Sequence, residues 1–199
     1  MRADDSAARG PAKAGSSRLV NGTSGAPSMS ATSEAVKAAG NAFEDRRGRW
    51  FDEAARYFEE SKTAGQLTSN LYRNLGDAYR HLRRAGDAAH AYEAARAMTE
   101  QEVIRNPRSA AFRVRLGLIS AFLGEAQRAG FEVSQALAMD ADNSAVLREA
   151  ALAYETLHQR ERTLELLRNA PAQLLQELNH QPDVKDLQQD FRFQRLLQK

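Results

Sequence analysis

The sequence predicts an all-α protein, built from about four stacked helix pairs with a C-terminal helical cap. Three observations lead there. Apolar residues recur at i, i+3, i+4 and i+7, as in Leu75, Ala78, Tyr79 and Leu82, which is the helical period. A pattern of Leu-Gly, aromatic and Ala returns at fixed spacing along the chain. No segment alternates apolar and polar residues with the Val, Ile and Thr enrichment of a strand.

The organisation follows in chain order. Residues 1–32 are rich in Ala, Gly and Ser, with Leu19, Val20 and two Met as their only large apolar residues. Such a stretch cannot repay its ordering entropy and reads as a disordered leader or linker. It also lacks the apolar core of a secretory signal. A first helix pair is expected at about 33–66, where Ala42, Ala54 and Phe58 stand in register and Trp50 and Phe51 open the second helix. The second pair carries the best copy: Tyr72, Leu75-Gly76, Tyr79, Ala88, Tyr92 and Ala95. The third runs Leu116-Gly117, Ser120, Ala129, Val133 and Ala136, with Gly117 lying 41 residues after Gly76. The fourth returns to a step of 34, with Ala150-Ala151, Tyr154, Thr163, Leu167 and Ala170.

The reason for the letters is steric. Gly76 and Gly117 leave room where one helix approaches its partner, Ala88 and Ala129 are small opposite them, and Phe58, Tyr79, Tyr92 and Tyr154 fill the gaps between layers. Turns are expected at Arg47-Gly48-Arg49, Ala85-Gly86-Asp87 and Gly124-Glu125, with Gly ending one helix and an acidic residue capping the next. Asp140 to Asn143 link the third pair to the fourth. The seven residues by which 41 exceeds 34 lie around Ala97–Glu102. They make about two helical turns, so they lengthen a helix over about 87–105, which Pro107 then closes. From Pro171 the spacing fails: 172–179 reads as helix, and Phe193, Leu196 and Leu197 lie on a short amphipathic helix able to cover the last pair. The domains are thus 1–32, a repeat array at 33–170 and a cap at 171–199.

The pattern Leu-Gly-x2-Tyr…Ala-x3-aromatic resembles the tetratricopeptide repeat, abbreviated TPR. The resemblance implies a right-handed superhelix with a concave groove, and a non-enzymatic role in binding proteins. The closing segment, with Pro182-Asp183, Leu187, Asp190, Arg192-Phe193 and Leu196-Leu197, is similar to one that ends TPR arrays in bacterial signalling proteins, with Phe191 where those have a second Pro. There such arrays stand behind a serine/threonine kinase or a winged-helix regulator. A signalling scaffold is therefore one expectation, and the noncatalytic C-terminal part of a kinase or transcription regulator is the alternative. Some TPR domains clamp the C-terminal carboxylate of heat-shock chaperones. Asn74 and Arg115 match that clamp, whereas Ala39, Phe43 and Ala111 do not, so no chaperone clamp is expected.

In this register the first helix of each pair lines the groove. The candidate partner-binding residues are Phe43, Arg73, Asn74, Asp77, Arg80, Val114, Arg115, Leu118, Phe122 and Arg148. Arginine holds carboxylate or phosphate through paired hydrogen bonds, and the apolar residues would anchor side chains, which points to a partner with acidic and hydrophobic elements. Each has a plainer reading: core packing for Phe43, Leu118 and Phe122, a solvated helix face for the arginines. Catalysis and cofactors find no motif. His81, His90, His158 and His180 are scattered, there is no Cys, and no glycine-rich loop follows a strand. The absence of Cys fits a reducing compartment such as the cytoplasm. No run reaches the roughly 18 apolar residues of a membrane span. A net charge of +2, with both signs interspersed, argues against nucleic acid as the partner.

Overall fold

Thr68, Ser109 and Asn143 do the same work 41 and then 34 residues apart. Each side-chain oxygen accepts a backbone N–H from the first turn of a helix: Leu71 at 3.1 Å, Phe112 at 3.3 Å, and Ala145 at 3.0 Å. These caps satisfy donors that a helix start leaves unpaired. The helices they open are all 13 residues long: α2 (Ser69–His81), α4 (Ala110–Phe122) and α6 (Ser144–Thr156). Their ends match as well. Arg83, Gly124 and His158 take left-handed backbone angles, with φ of 59°, 77° and 57°. The following N–H reaches back five residues, from Arg84 to Tyr79, Glu125 to Ser120 and Gln159 to Tyr154, at 2.8–2.9 Å. This is the Schellman closure, which satisfies the last carbonyls of a helix.

The computed structural model describes residues 48–65 and 67–198. The proposed leader and the first helix of the first pair, with Phe43, lie outside the described residues. Helix α1 covers 48–63. α3 (Ala85–Arg105), α5 (Ala126–Met139) and α7 (Arg160–Leu167) follow α2, α4 and α6 respectively. Each of these packs on the helix before it, and α4 packs on α3 and α6. α3 has 21 residues against 14 in α5, so the seven-residue insertion is helix, as its length predicts. Among the described residues there is no strand, and no helix is long and apolar enough to cross a membrane.

Two turns differ from expectation. The reversal after α2 falls at Arg83, and Gly86 lies in the first turn of α3. Gly48 is likewise already helical. The closing hydrogen bonds fix the left-handed residue by its place after the helix, and Arg83 accepts a conformation that Gly would take more easily. Asp87 does not cap α3; its carboxylate accepts a hydrogen bond from Arg84 Nε at 2.7 Å. At the Asp140–Asn143 link the cap is Asn143, whose amide also donates to Asp140 at 2.9 Å.

The core forms two clusters. One joins Leu75, Tyr79, Tyr92, Ala95 and Ile119. The other runs from Val114 and Leu118 through Val133, Val146 and Leu167 to Leu174, Leu178, Leu187 and Phe193. Gly76 and Gly117 sit at the tightest points. A Cβ on Gly76 would lie 2.6 Å from Tyr92 Cε1, and one on Gly117 2.7 Å from Val133 Cγ2.

The C-terminal cap comprises α8 (Ala172–Asn179), a 3-10 turn at Pro182–Val184, α9 (Lys185–Gln188) and α10 (Phe191–Leu196). Leu174, Leu178, Leu187 and Phe193 are at most 1% exposed, so the cap belongs to the core of the last pair. Phe191 takes the first position of α10, after the Asp190 cap, where proline is also well tolerated.

Candidate functional site

The face shared by α2, α4 and α6 carries the arginines singled out from the sequence, and the structure supplies most of them with carboxylates. Arg73, midway along α2, donates from Nη1 to Glu149 of α6 at 3.2 Å and from Nη2 to Asn74 at 3.3 Å. Arg115 of α4 lies 3.6 Å from Glu102. Glu102 stands in the extension of α3 and also accepts from the Ser69 hydroxyl at 2.9 Å. The extra two turns thus tie the start of α2 to α4. Arg148 is exposed and, among the described residues, makes no ion pair. It borders a shallow surface hollow with Gln173, Gln176, Glu177, His180 and Gln181.

The densest network gathers at the C-terminal ends of α2 and α4. Tyr92 donates its hydroxyl to Asp77 at 2.7 Å and accepts from Arg80 Nε at 3.2 Å. The Tyr92 ring stacks on Phe122 with centroids 4.8 Å apart, and the Arg80 guanidinium lies 4.8 Å above Phe122. Arg80 then donates from Nη2 to Asp183 at 2.7 Å, a residue of the C-terminal cap 103 positions away. His81 Nε2 reaches the same carboxylate oxygen at 3.0 Å, and its ring stacks on Phe51 at 4.1 Å. Burial alone would raise the Asp183 carboxyl. The His81 hydrogen bond and the Arg80 charge outweigh it and hold Asp183 at about 2. Burial raises Asp77, against the opposing hydrogen bond from Tyr92.

Arg160, the first residue of α7, is the second receiver of the cap. It grips Glu155 at 2.7 Å, donates to the Asp186 carbonyl at 3.0 Å and reaches Asp190 at 3.3 Å. Arg80, Phe122, Glu155, Thr156, Arg160 and residues 182–186 line an open pocket of about 530 Å³. A second, mostly apolar slot of about 260 Å³ lies between α1 and α2, lined by Trp50, Phe51, Ala54 and Phe58 on one side and Asn74, Asp77 and Ala78 on the other.

The sequence-derived residues therefore divide. Arg80, Asp77 and Phe122 meet through Tyr92. Arg73 and Asn74 adjoin one another, Arg115 stands apart at Glu102, and Arg148 faces the α8 side. Val114 and Leu118 need correction as partner anchors. Both are 1% exposed, because α4 is enclosed by its neighbours, and their methyl groups belong to the core. Three residues escaped the sequence-based selection: Asp183, Arg160 and Glu149. The Pro182-Asp183 pair was visible as part of the cap's signature, but nothing local assigns Arg80 to it.

Among the described residues, no group of three or more His, Asp or Glu side chains is placed to hold a metal ion. No protein-family model and no curated protein matches the chain.

Proposed function

We propose that this chain is a TPR-like scaffold that binds a protein or peptide partner on the face of α2, α4 and α6, without catalysis of its own. The observation that carries the reading is the recurrence of one cap and one closure at steps of 41 and 34 residues. Helix pairs that share a cap and a closure and pack on their neighbours are the kind of unit that repeat proteins use to build extended binding surfaces. The face offers what a partner with acidic and hydrophobic elements requires: Phe122 as an apolar floor, Arg80 and Arg160 at its edges, and an open pocket of about 530 Å³ between them. A cytoplasmic setting in bacterial signalling fits this role. The cap segment from Pro182-Asp183 to Leu196-Leu197 favours a second reading, in which the chain is the noncatalytic C-terminal region of a serine/threonine kinase or a transcription regulator.

Affinity capture with the full chain and with Phe122→Ala and Arg80→Ala tests the scaffold reading. A partner retained by the parent chain and lost with either folded variant is expected. Capture that both variants leave unchanged would refute the assigned face.

A further inference from the structure

We propose that residues Pro182–Asp190 are an internal ligand seated in this face, and that the external partner is an extended acidic peptide that displaces them. The proposal rests on the scaffold reading and names the class of ligand.

The contacts of the segment are those of a bound peptide. One carboxylate, Asp183, is held by Arg80 and His81 at the end of α2. A backbone carbonyl, Asp186, and a second carboxylate, Asp190, are held by Arg160 at the start of α7. Between the two carboxylates, Val184 and Leu187 point inward and are at most 2% exposed, while Pro182, Lys185, Asp186 and Gln189 remain exposed. Charged ends around an apolar centre are the recognition elements of a linear peptide.

The seat is incompletely filled. The pocket of about 530 Å³ lies between this segment and Arg80, Phe122, Glu155 and Thr156. The pocket is open to solvent along one side, so a ligand bulkier than the segment has room to reach Phe122 from outside. The segment is also cut into a three-residue turn and a four-residue helix. Elements this short are not stable on their own, so the segment is held by its contacts with Arg80, His81, Arg160 and the core. The downstream anchor Phe193 is fully buried and can hold α10 against the core when 182–190 leaves the seat.

The matching external ligand has a carboxylate for Arg80 and His81, an adjacent side chain large enough to reach Phe122, and a second carboxylate for Arg160. Because the segment competes for the same cations, the apparent affinity of the parent chain falls by the fraction of molecules whose seat is occupied.

Fluorescence anisotropy with the full chain tests this, using a labelled peptide with the sequence of residues 180–191 as probe. Asp183→Asn should bind the probe about tenfold tighter than the parent chain. Arg80→Ala in the Asp183→Asn background should lose that gain, as should a probe with Asn in place of its acidic residues. Equal affinity of parent and Asp183→Asn overturns the proposal. Should Asp183→Asn fail to fold, hydrogen exchange on the parent chain decides: saturating probe should speed exchange of amides 184–190, and unchanged exchange overturns the idea. A dimer that the probe dissociates would place a second copy's segment in the seat and overturn the partner class. Capture of a partner equally by parent and Asp183→Asn overturns the internal competitor while leaving the scaffold reading standing.

Discussion

Gly117 and Gly130 lie inside consecutive helices, α4 and α5, yet replacing each by alanine should move stability in opposite directions. In an open helix, Gly→Ala gains about 1 kcal/mol, because glycine loses more backbone entropy on folding. Gly130 meets that condition: the nearest atom to an added Cβ is Arg162 Nη1 at 4.0 Å, the end of a flexible chain. Gly117 does not. Its Cβ would lie 2.7 Å from Val133 Cγ2, 3.1 Å from the Val133 amide nitrogen and 3.2 Å from the Ala129 carbonyl oxygen. Two of the three neighbours are backbone, so relief requires α5 to move. Overpacking of this kind costs about 1–3 kcal/mol. Near the upper end, as expected where backbone must yield, the propensity gain leaves a net loss of about 1–2 kcal/mol. Urea unfolding followed by circular dichroism measures both variants, and a loss of that size corresponds to a Tm lower by about 2–8 °C for a chain of this length. Gly117→Ala as stable as the parent, or Gly130→Ala destabilised as much as Gly117→Ala, would refute the claim that close helix approach is what requires glycine here.

Three further outcomes are expected. At the left-handed positions, Arg83→Gly and His158→Gly should each stabilise by up to about 1 kcal/mol, whereas Gly124→Ala, at φ 77°, should destabilise by a similar amount; chemical denaturation compares the three. Asp183 is held at about 2, below its ordinary 3.8, so its pairing stabilises the fold by roughly 2 kcal/mol above pH 4. That contribution falls away as pH drops through about 2, and Asp183→Asn should flatten the stability profile between pH 4 and 2. Phe193→Ala should cost about 3–5 kcal/mol, because the ring is fully buried in the core it shares with Leu178 and Leu187; a loss below 1 kcal/mol would show that the cap does not seal the last helix pair.

The repeat register was legible in the sequence because everything that sets it is local. A cap reaches three residues forward from Thr68 or Ser109, and a closure reaches five residues back to Tyr79 or Ser120. The surplus of seven residues read as helix for the same reason, since two turns preserve the face that points inward. Where the sequence misled, at Gly86 and Asp87, composition suggested a turn that hydrogen-bond closure places three residues earlier, at Arg83. The candidate site was legible only as a set of residue types. Arg73 and Glu149 are 76 positions apart, and Arg80 and Asp183 are 103 apart, so no local pattern pairs them. A row of arginines in a sequence carries no record of which carboxylates already hold them. That pairing decides how the face behaves. Unpaired, Arg80 would attract any anion. Bound to Asp183, it presents little free charge, and a partner gains from it only by breaking a hydrogen-bonded pair that is mostly shielded from water. Specificity for a ligand that replaces both the carboxylate and the apolar contacts of the displaced segment follows from that cost.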